Sequence, residues 1–309
     1  MSQIENSKSR LIRLDSWAAL KICGEDAEAF LQGQISADIR ALRAESAVLT
    51  SYSSPKGRVL ALPLMMRIAD GFELWLPRSL LDVVSKRLRM FVLRSKVNIE
   101  QSDSQALGLL GQSADFPFAA QLSSIPVPPL EVTQADSGLR IMRAYGEAAR
   151  YFICGSPENL TSLESESDQD LWRRAEITAG VPIVVPETQD KWVAQMLNID
   201  RFAGGIDFKK GCYTGQEVIA RLHYLGKLKK RMFVIHGEGE PPAPGTAIHD
   251  PTGDGQAVGD IVDAIAANDG KGFIACAVLQ VAVARTTGLC INQEPARRIS
   301  SIASEPAQP

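Results

Sequence analysis

The sequence predicts an α+β fold with a small all-β domain at its C-terminal end. Three observations carry this. Residues 16–100 alternate strand and helix signals in the order β-α-β-β-β-α-β, which suits an elaborated ferredoxin-like unit better than a doubly wound sheet. A second, shorter α/β stretch follows. After Arg231, short apolar runs alternate with Gly- and Asp-rich turns, the pattern of a barrel or sandwich.

In the first stretch, residues 16–23 alternate and stop at Gly24, reading as a strand. Residues 26–31 give a short helix with Ala27, Phe30 and Leu31 on one side. Residues 48–53 and 58–68 read as strands joined by the turn Ser54-Pro55-Lys56-Gly57. Asp70-Gly71 is a tight-hairpin signal leading into a strand over 72–76. Ser79 is placed to cap a helix reaching about Leu93, with Leu80, Val84, Leu88, Phe91 and Val92 at helical spacing. Residues 96–100 close the unit as a strand. Residues 112–130, rich in Ser, Pro and Ala, read as a loop. Strands are expected over 139–144 and 151–154, and a helix over 171–179 capped by Asp170 and stopped by Gly180 and Pro182. In the last region, strands are expected over 257–264, 272–279 and 281–285, with a polar tail from 292.

Length and composition fit this organisation. The 309 residues allow two domains, or three small ones. With 33 basic and 36 acidic side chains, the net charge of −3 argues against a protein that coats nucleic acid through global charge. The five cysteines are scattered without a C-x-x-C pair, and only three histidines are present. Neither a zinc ribbon, a disulfide framework nor a multi-histidine metal site is expected. The N-terminus has no apolar leader segment, and the longest apolar run, 59–66, is far short of the ~20 residues that span a bilayer. A cytoplasmic protein with reduced thiols and no membrane partner is expected.

One segment stands apart: Lys209-Lys210-Gly211-Cys212-Tyr213-Thr214-Gly215-Gln216-Glu217. Two glycines flank a cysteine, so the backbone can turn tightly, and Val218, Ile219 and Leu222 predict a helix starting near Gly215. Helix N-termini and lysines both stabilise an anion. Cys212 therefore reads as a reactive or ligand-binding thiol, the alternative being a buried structural cysteine. Cys23, Cys154, Cys276 and Cys290 read as packing. Residues 209–231 hold seven basic side chains against the single acid Glu217, a local net charge of +6. That suits an anionic partner, polyglutamylated folate or RNA, or else a solvated strand edge protected by lysines. The same cluster offers Lys227, Lys229, Lys230 and Arg231 as the contact for RNA. Trp17 and Trp172 are core candidates that could instead line a pocket for a flat heteroaromatic ring.

The octapeptide Lys210 to Glu217 resembles the signature of the YgfZ family of folate-binding proteins, relatives of the glycine-cleavage aminomethyltransferase. The likeness extends to Leu14-Asp15-Ser16-Trp17-Ala18, Gly24-Glu25-Asp26-Ala27, Phe30-Leu31-Gln32-Gly33-Gln34, Ser54-Pro55-Lys56-Gly57-Arg58, Ala179-Gly180-Val181-Pro182 and Gln195-Met196-Leu197-Asn198-Ile199-Asp200. It covers residues 11–285.

The resemblance implies an aminomethyltransferase-like folate-binding region over 1–235, built as two interleaved ferredoxin-like halves (roughly 11–110 and 111–235). A C-terminal β-barrel over 236–290 and a polar tail over 291–309 would follow. In the family, tetrahydrofolate or a one-carbon derivative binds in a central channel. The family supports iron–sulfur enzymes, particularly those that methylthiolate tRNA, and the signature cysteine matters for that role. The two folate tryptophans match Trp17 and Trp172. Lys56, Arg58, Lys210 and Tyr213 complete the expected folate contacts, the cations facing the glutamate tail. A folate-dependent aminomethyl or methyl transferase and a tRNA-binding module are the alternatives. Aminomethyltransferases carry an acid just after the turn glycine. Here that run is Arg58-Val59-Leu60-Ala61-Leu62-Pro63, with no carboxylate, so glycine-cleavage activity is not expected.

Overall fold

The computed structural model describes residues 9–111, 125–161, 163, 165–253, 255–268, 270–284, 286, 288–292 and 294–303. Most of the loop expected over 112–130 lies outside these. The chain divides into two compact units. One comprises Met1–Gly33, Asp38–Leu49 and Pro63–Trp172; the other comprises Gln34–Ala37, Thr50–Leu62 and Arg173–Pro309.

The strands of the N-terminal stretch are β1 (Arg10–Arg13), β2 (Trp17–Cys23), β3 (Ala47–Leu49), β4 (Tyr52–Ser53), β5 (Val59–Ala61), β6 (Leu64–Ile68), β7 (Gly71–Pro77) and β8 (Asn98–Gln101). Helices α1 (Ala27–Gln32) and α2 (Leu81–Arg89) interrupt them. There follow β9 (Gln105–Leu110), β10 (Val132–Gln134), β11 (Arg140–Arg143), β12 (Arg150–Gly155), α3 (Pro157–Thr161), α4 (Gln169–Thr178) and α5 (Gln216–Tyr224). The last strands are β13 (Lys230–Gly237), β14 (Ala247–His249), β15 (Ala257–Ala266), β16 (Phe273–Gln280), β17 (Cys290–Ile291) and β18 (Glu294–Ile302).

Several expectations divide or shift. The strand expected over 48–53 becomes β3 and β4, which fall in different units. The strand expected over 58–68 breaks at Leu62-Pro63, because proline cannot donate to a ladder. Ser79 does not cap α2: it lies inside a 3-10 turn, Arg78–Leu80, that precedes the helix. Residues 281–284 form a turn rather than a strand.

The first unit holds two five-stranded sheets, ordered β3-β6-β7-β2-β8 and β1-β9-β12-β11-β10, with every pairing antiparallel. The second sheet is two-faced. Leu107, Leu109, Ile141, Tyr151 and Ile153 bury one face with Leu11, Leu139 and Leu160. The alternate positions on the other face, Phe152 and Cys154, meet Trp75 and Met66 of the first sheet, with ring centroids 5.2 Å and sulfurs 3.8 Å apart.

The second unit holds the two-stranded β4-β5 ribbon and a closed barrel ordered β13-β16-β15-β14-β17-β18. Phe233, Ile235, Ile248, Ile261, Phe273, Ala275 and Leu279 fill its core. The expected boundaries need correction at both ends. The barrel begins at Lys230, and β18 occupies residues assigned to a polar tail. That strand reads as polar because Ile299 turns inward among Arg298 and Ser300, while β18 supplies the second partner of β13 and closes the barrel.

Candidate functional site

In the first unit the site is aromatic. Phe152 on β12 is its centre: the Trp75 ring lies 5.2 Å away, Trp17 5.8 Å and Trp172 6.5 Å. Trp17 opens β2 and is half-buried, whereas Trp172, in the first turn of α4, is 3% exposed. The position of Trp172 depends on a glycine. Gly108 pairs with Phe152 across the β9–β12 ladder, and a Cβ there would stand 2.3 Å from Cε3 of Trp172. Arg150, two residues before Phe152, is 1% exposed and holds its guanidinium 5.1 Å from the Trp172 ring centroid. Its Nε donates to the Tyr145 carbonyl at 2.6 Å.

The two tryptophans are tied together. The Ser16 amide and hydroxyl both donate to Gln169 Oε1, at 3.0 and 2.6 Å, joining the start of β2 to the start of α4. Arg78 donates to the carbonyls of Asp15 and Trp17 at 2.8 and 3.2 Å. The indole N–H of Trp172 is buried and has no acceptor among the described residues. Such a group is costly to leave unmatched. Phe152, Arg150 and Gly108 are absent from the sequence-based site. Phe152 alternates with buried strand neighbours and so reads only as core.

A polar staple joins the two sheets beside this cluster. Glu73, 3% exposed, accepts from the Ser102 and Ser104 hydroxyls at 2.8 and 2.7 Å and from Arg140. Burial pushes the nearby Cys154 thiol up to about 12.

In the second unit the site is a clamped loop. Asp207 Oδ1 accepts the amides of Lys209 and Lys210 at 2.6 and 2.9 Å, turning the chain into the signature. Lys210 Nζ donates to the carbonyls of Ile35 and Ala37 at 2.8 and 2.6 Å and lies 5.0 Å from the Tyr213 ring centroid. The Ser36 and Thr50 hydroxyls each donate to the Gly205 carbonyl at 2.8 Å. Tyr213 is buried, and burial, reinforced by Asp207, pushes its phenol up to about 12. Gly215 caps α5 at φ +84°; a Cβ there would stand 2.7 Å from the Ser54 carbonyl oxygen and 3.0 Å from Gly57 Cα. The signature and the Ser54–Arg58 turn thus meet backbone to backbone, and α5 begins where predicted. Within this clamp Cys212 is exposed.

The remaining expected site residues divide by what they touch. Lys56 is exposed. Arg58 donates to the Lys191 carbonyl at 2.9 Å. Arg231 donates to Asp200, Asn198 and the Gln195 carbonyl at 2.8–3.2 Å, so this member of the basic cluster stabilises the chain itself. Lys210 does the same, while Lys209, Arg221, Lys227 and Lys229 are exposed and Lys230 is half-buried in β13. The acid that does reach the Ser54 turn is Asp190, whose Oδ1 accepts from the Ser54 hydroxyl at 2.8 Å. Cys154, Cys276 and Cys290 are buried and Cys23 is half-buried. Among the described residues no three His, Cys, Asp or Glu side chains group as metal ligands, and no helix is long and apolar enough to cross a membrane.

The comparisons with known proteins now bear on this geometry. No family model matches the chain. The tRNA-modifying protein YgfZ of Colwellia psychrerythraea is 29% identical over 238 residues, covering 75% of this chain and 73% of the relative. The tRNA-modifying protein YgfZ of Yersinia pestis is 31% identical over 274 residues, covering 85% of this chain and 82% of the relative. Among solved structures, aminomethyltransferase T of the glycine cleavage system from Bartonella henselae superposes with a TM-score of 0.75 over 98% of this chain and 87% of that one. At 14% identity that likeness shows the fold: aminomethyltransferase-like, with the six-stranded barrel at its C-terminal end. With nearly a third of the residues identical across most of both chains, the protein belongs to the YgfZ family.

Proposed function

We propose that the chain is a folate-binding accessory protein that supports tRNA modification by sustaining the iron–sulfur enzymes that carry it out. The Trp17–Phe152–Trp172 cluster carries the reading. It offers a half-exposed ring at Trp17, a second indole fixed behind it, and a buried N–H in want of an acceptor beside the Arg150 cation. Those features fit a flat, polar pterin. Tetrahydrofolate would supply a one-carbon carrier there. Trp17 and Phe152 would orient its ring, and Arg150 would hold Trp172 in place. Of the three cations expected for a glutamate tail, Lys210 and Arg58 donate to backbone carbonyls and Lys56 is exposed.

Cys212 would act through its exposed sulfur, toward a client's cluster or a one-carbon adduct. The relatives' printed name supports the tRNA side of the reading. The transferase alternative lacks its carboxylate in the run Arg58–Pro63, and Asp190 already accepts the Ser54 hydroxyl.

Calorimetry with tetrahydrofolate tests the ligand. Saturable binding that Trp17→Ala weakens at least tenfold is expected; no heat and no thermal stabilisation at millimolar ligand would overturn it. Complementation of a strain lacking its YgfZ protein, read as methylthiolated tRNA, tests the role. Cys212→Ala is expected to fold and fail to complement.

A further inference from the structure

Three rings gather on α5 and the loop before it, away from the contacts that fix the helix. Phe208 and His223 stack with centroids 3.7 Å apart and planes 14° from parallel. Tyr224 stands edge-on to both, 4.7 Å from His223 and 6.3 Å from Phe208. The inner side of α5 is satisfied without them: Ile219 is fully buried, and its carbonyl accepts from Gln195 at 2.7 Å. The rings add contacts only at its last turn, where Phe208 stacks on His223 and its carbonyl accepts from the Tyr224 hydroxyl at 3.5 Å. Tyr224 is 62% exposed and the following Leu225 84% exposed.

Charge selects the partner. Lys209, Arg221, Lys227 and Lys229, close to the rings in sequence, are exposed, and Arg221 lies three residues before Tyr224, on the same helix face. The acids in this stretch are Asp207, bonded to two backbone amides, and Glu217. In a chain of net charge −3 this is a local cationic surface with exposed rings. The core of a protein–protein interface is depleted of charge, and a duplex hides its base faces. Unstacked bases on a polyanionic backbone match both features.

We propose that Phe208, His223 and Tyr224, with Arg221, Lys227 and Lys229, form a docking surface for a single-stranded RNA segment. A base stacks on Tyr224 and phosphates meet the cations. This deepens the tRNA side of the reading above and rests on it for the class of partner. It is separable from the folate site, whose affinity is measured on the same variants.

The test is fluorescence anisotropy between 50 and 200 mM KCl. One probe is a labelled RNA hairpin with a seven-nucleotide loop; the other is a blunt duplex of equal length. The hairpin is expected to bind more tightly than the duplex. Tyr224→Ala should weaken hairpin binding about tenfold with an unchanged salt slope, and Tyr224→Phe should restore it. The pair Lys227→Gln and Lys229→Gln should flatten the slope of log affinity against log salt by about 1.4. Circular dichroism and tetrahydrofolate affinity should match the parent in every variant. The proposal is overturned by equal binding of duplex and hairpin, by hairpin affinity indifferent to Tyr224→Ala, or by no binding at 50 mM KCl. It is also overturned if Tyr224→Ala abolishes capture of an iron–sulfur client yet spares RNA affinity, since the surface then serves a protein.

Discussion

The tryptophan cluster of the first unit and the Cys212 loop of the second solve opposite problems. The cluster is built from strand residues and the first turn of α4, with core residues as neighbours. Its rings are fixed by a missing side chain at Gly108 and by the buried Arg150. The loop is built from turns, and what is fixed there is the backbone, through Asp207, Lys210, Gly205 and Gly215, while the cysteine itself faces solvent. A flat ligand is recognised by surfaces that must not move, so that site is made of packing. A reagent must be reachable, so its support is made of hydrogen bonds on either side. Stability and chemistry should therefore separate between the two.

Trp172→Ala is expected to cost about 3–5 kcal/mol, because it empties a volume enclosed by Gly108, Phe152 and Arg150; urea unfolding measures it, and folate affinity should fall with it. A loss below 1 kcal/mol would mean that the cluster is not packing, and the contrast fails. Gly215→Ala should cost about 2 kcal/mol. It forces a side chain into left-handed backbone, 2.7 Å from the Ser54 oxygen, and should change the rate of Cys212 alkylation where Trp172→Ala does not.

Tyr213 gives a pH signature. Its folded phenol ionises near 12 against about 10 unfolded, so its contribution is full below pH 10 and is lost as pH rises toward 12. Tyr213→Phe should make the alkaline decline shallower, the rest belonging to the Cys23 and Cys154 thiols, pushed up to about 11 and about 12; an unchanged profile would show that Tyr213 adds nothing to it. The smallest stability effect belongs to Cys212→Ser, within about 0.5 kcal/mol. Maleimide should label Cys212 first in the native protein, with Cys154, Cys276 and Cys290 reacting only after denaturation.

Much of this was legible in the sequence where local chemistry decides. The start of α5 at Gly215 and the stop of α4 at Gly180 follow from glycine freedom, and β15 and β16 follow from apolar runs bounded by Gly- and Asp-rich turns. The octapeptide itself points to Cys212, while Trp17 and Trp172 are paired only by the family resemblance. Long-range geometry was not legible. Nothing local separates β3 from β4, whose residues read as one apolar strand yet join different sheets. Nothing in the composition of residues 209–231 says that Lys210 and Arg231 bond the chain's own carbonyls and carboxylate. Glu73 reads as a surface acid until Arg140, distant in sequence, is brought across from the other sheet. The barrel strand β18 was hidden by polar residues, because only one of its faces meets the core.

The bond from Ser36 to Gly205 spans 169 residues, and Ile35 and Ala37 hold Lys210 across a similar gap. At about 5–20 residues per second, synthesis separates these partners by roughly 10–30 s. During that interval the short segment 34–37 is already made while its partners are not. Losing the segment 34–37 from the finished chain would leave the Cys212 loop without the partners of Gly205 and Lys210. The thiol is thus tied to a checkpoint in time: only a chain that has kept its early residues in readiness can set Cys212 in place.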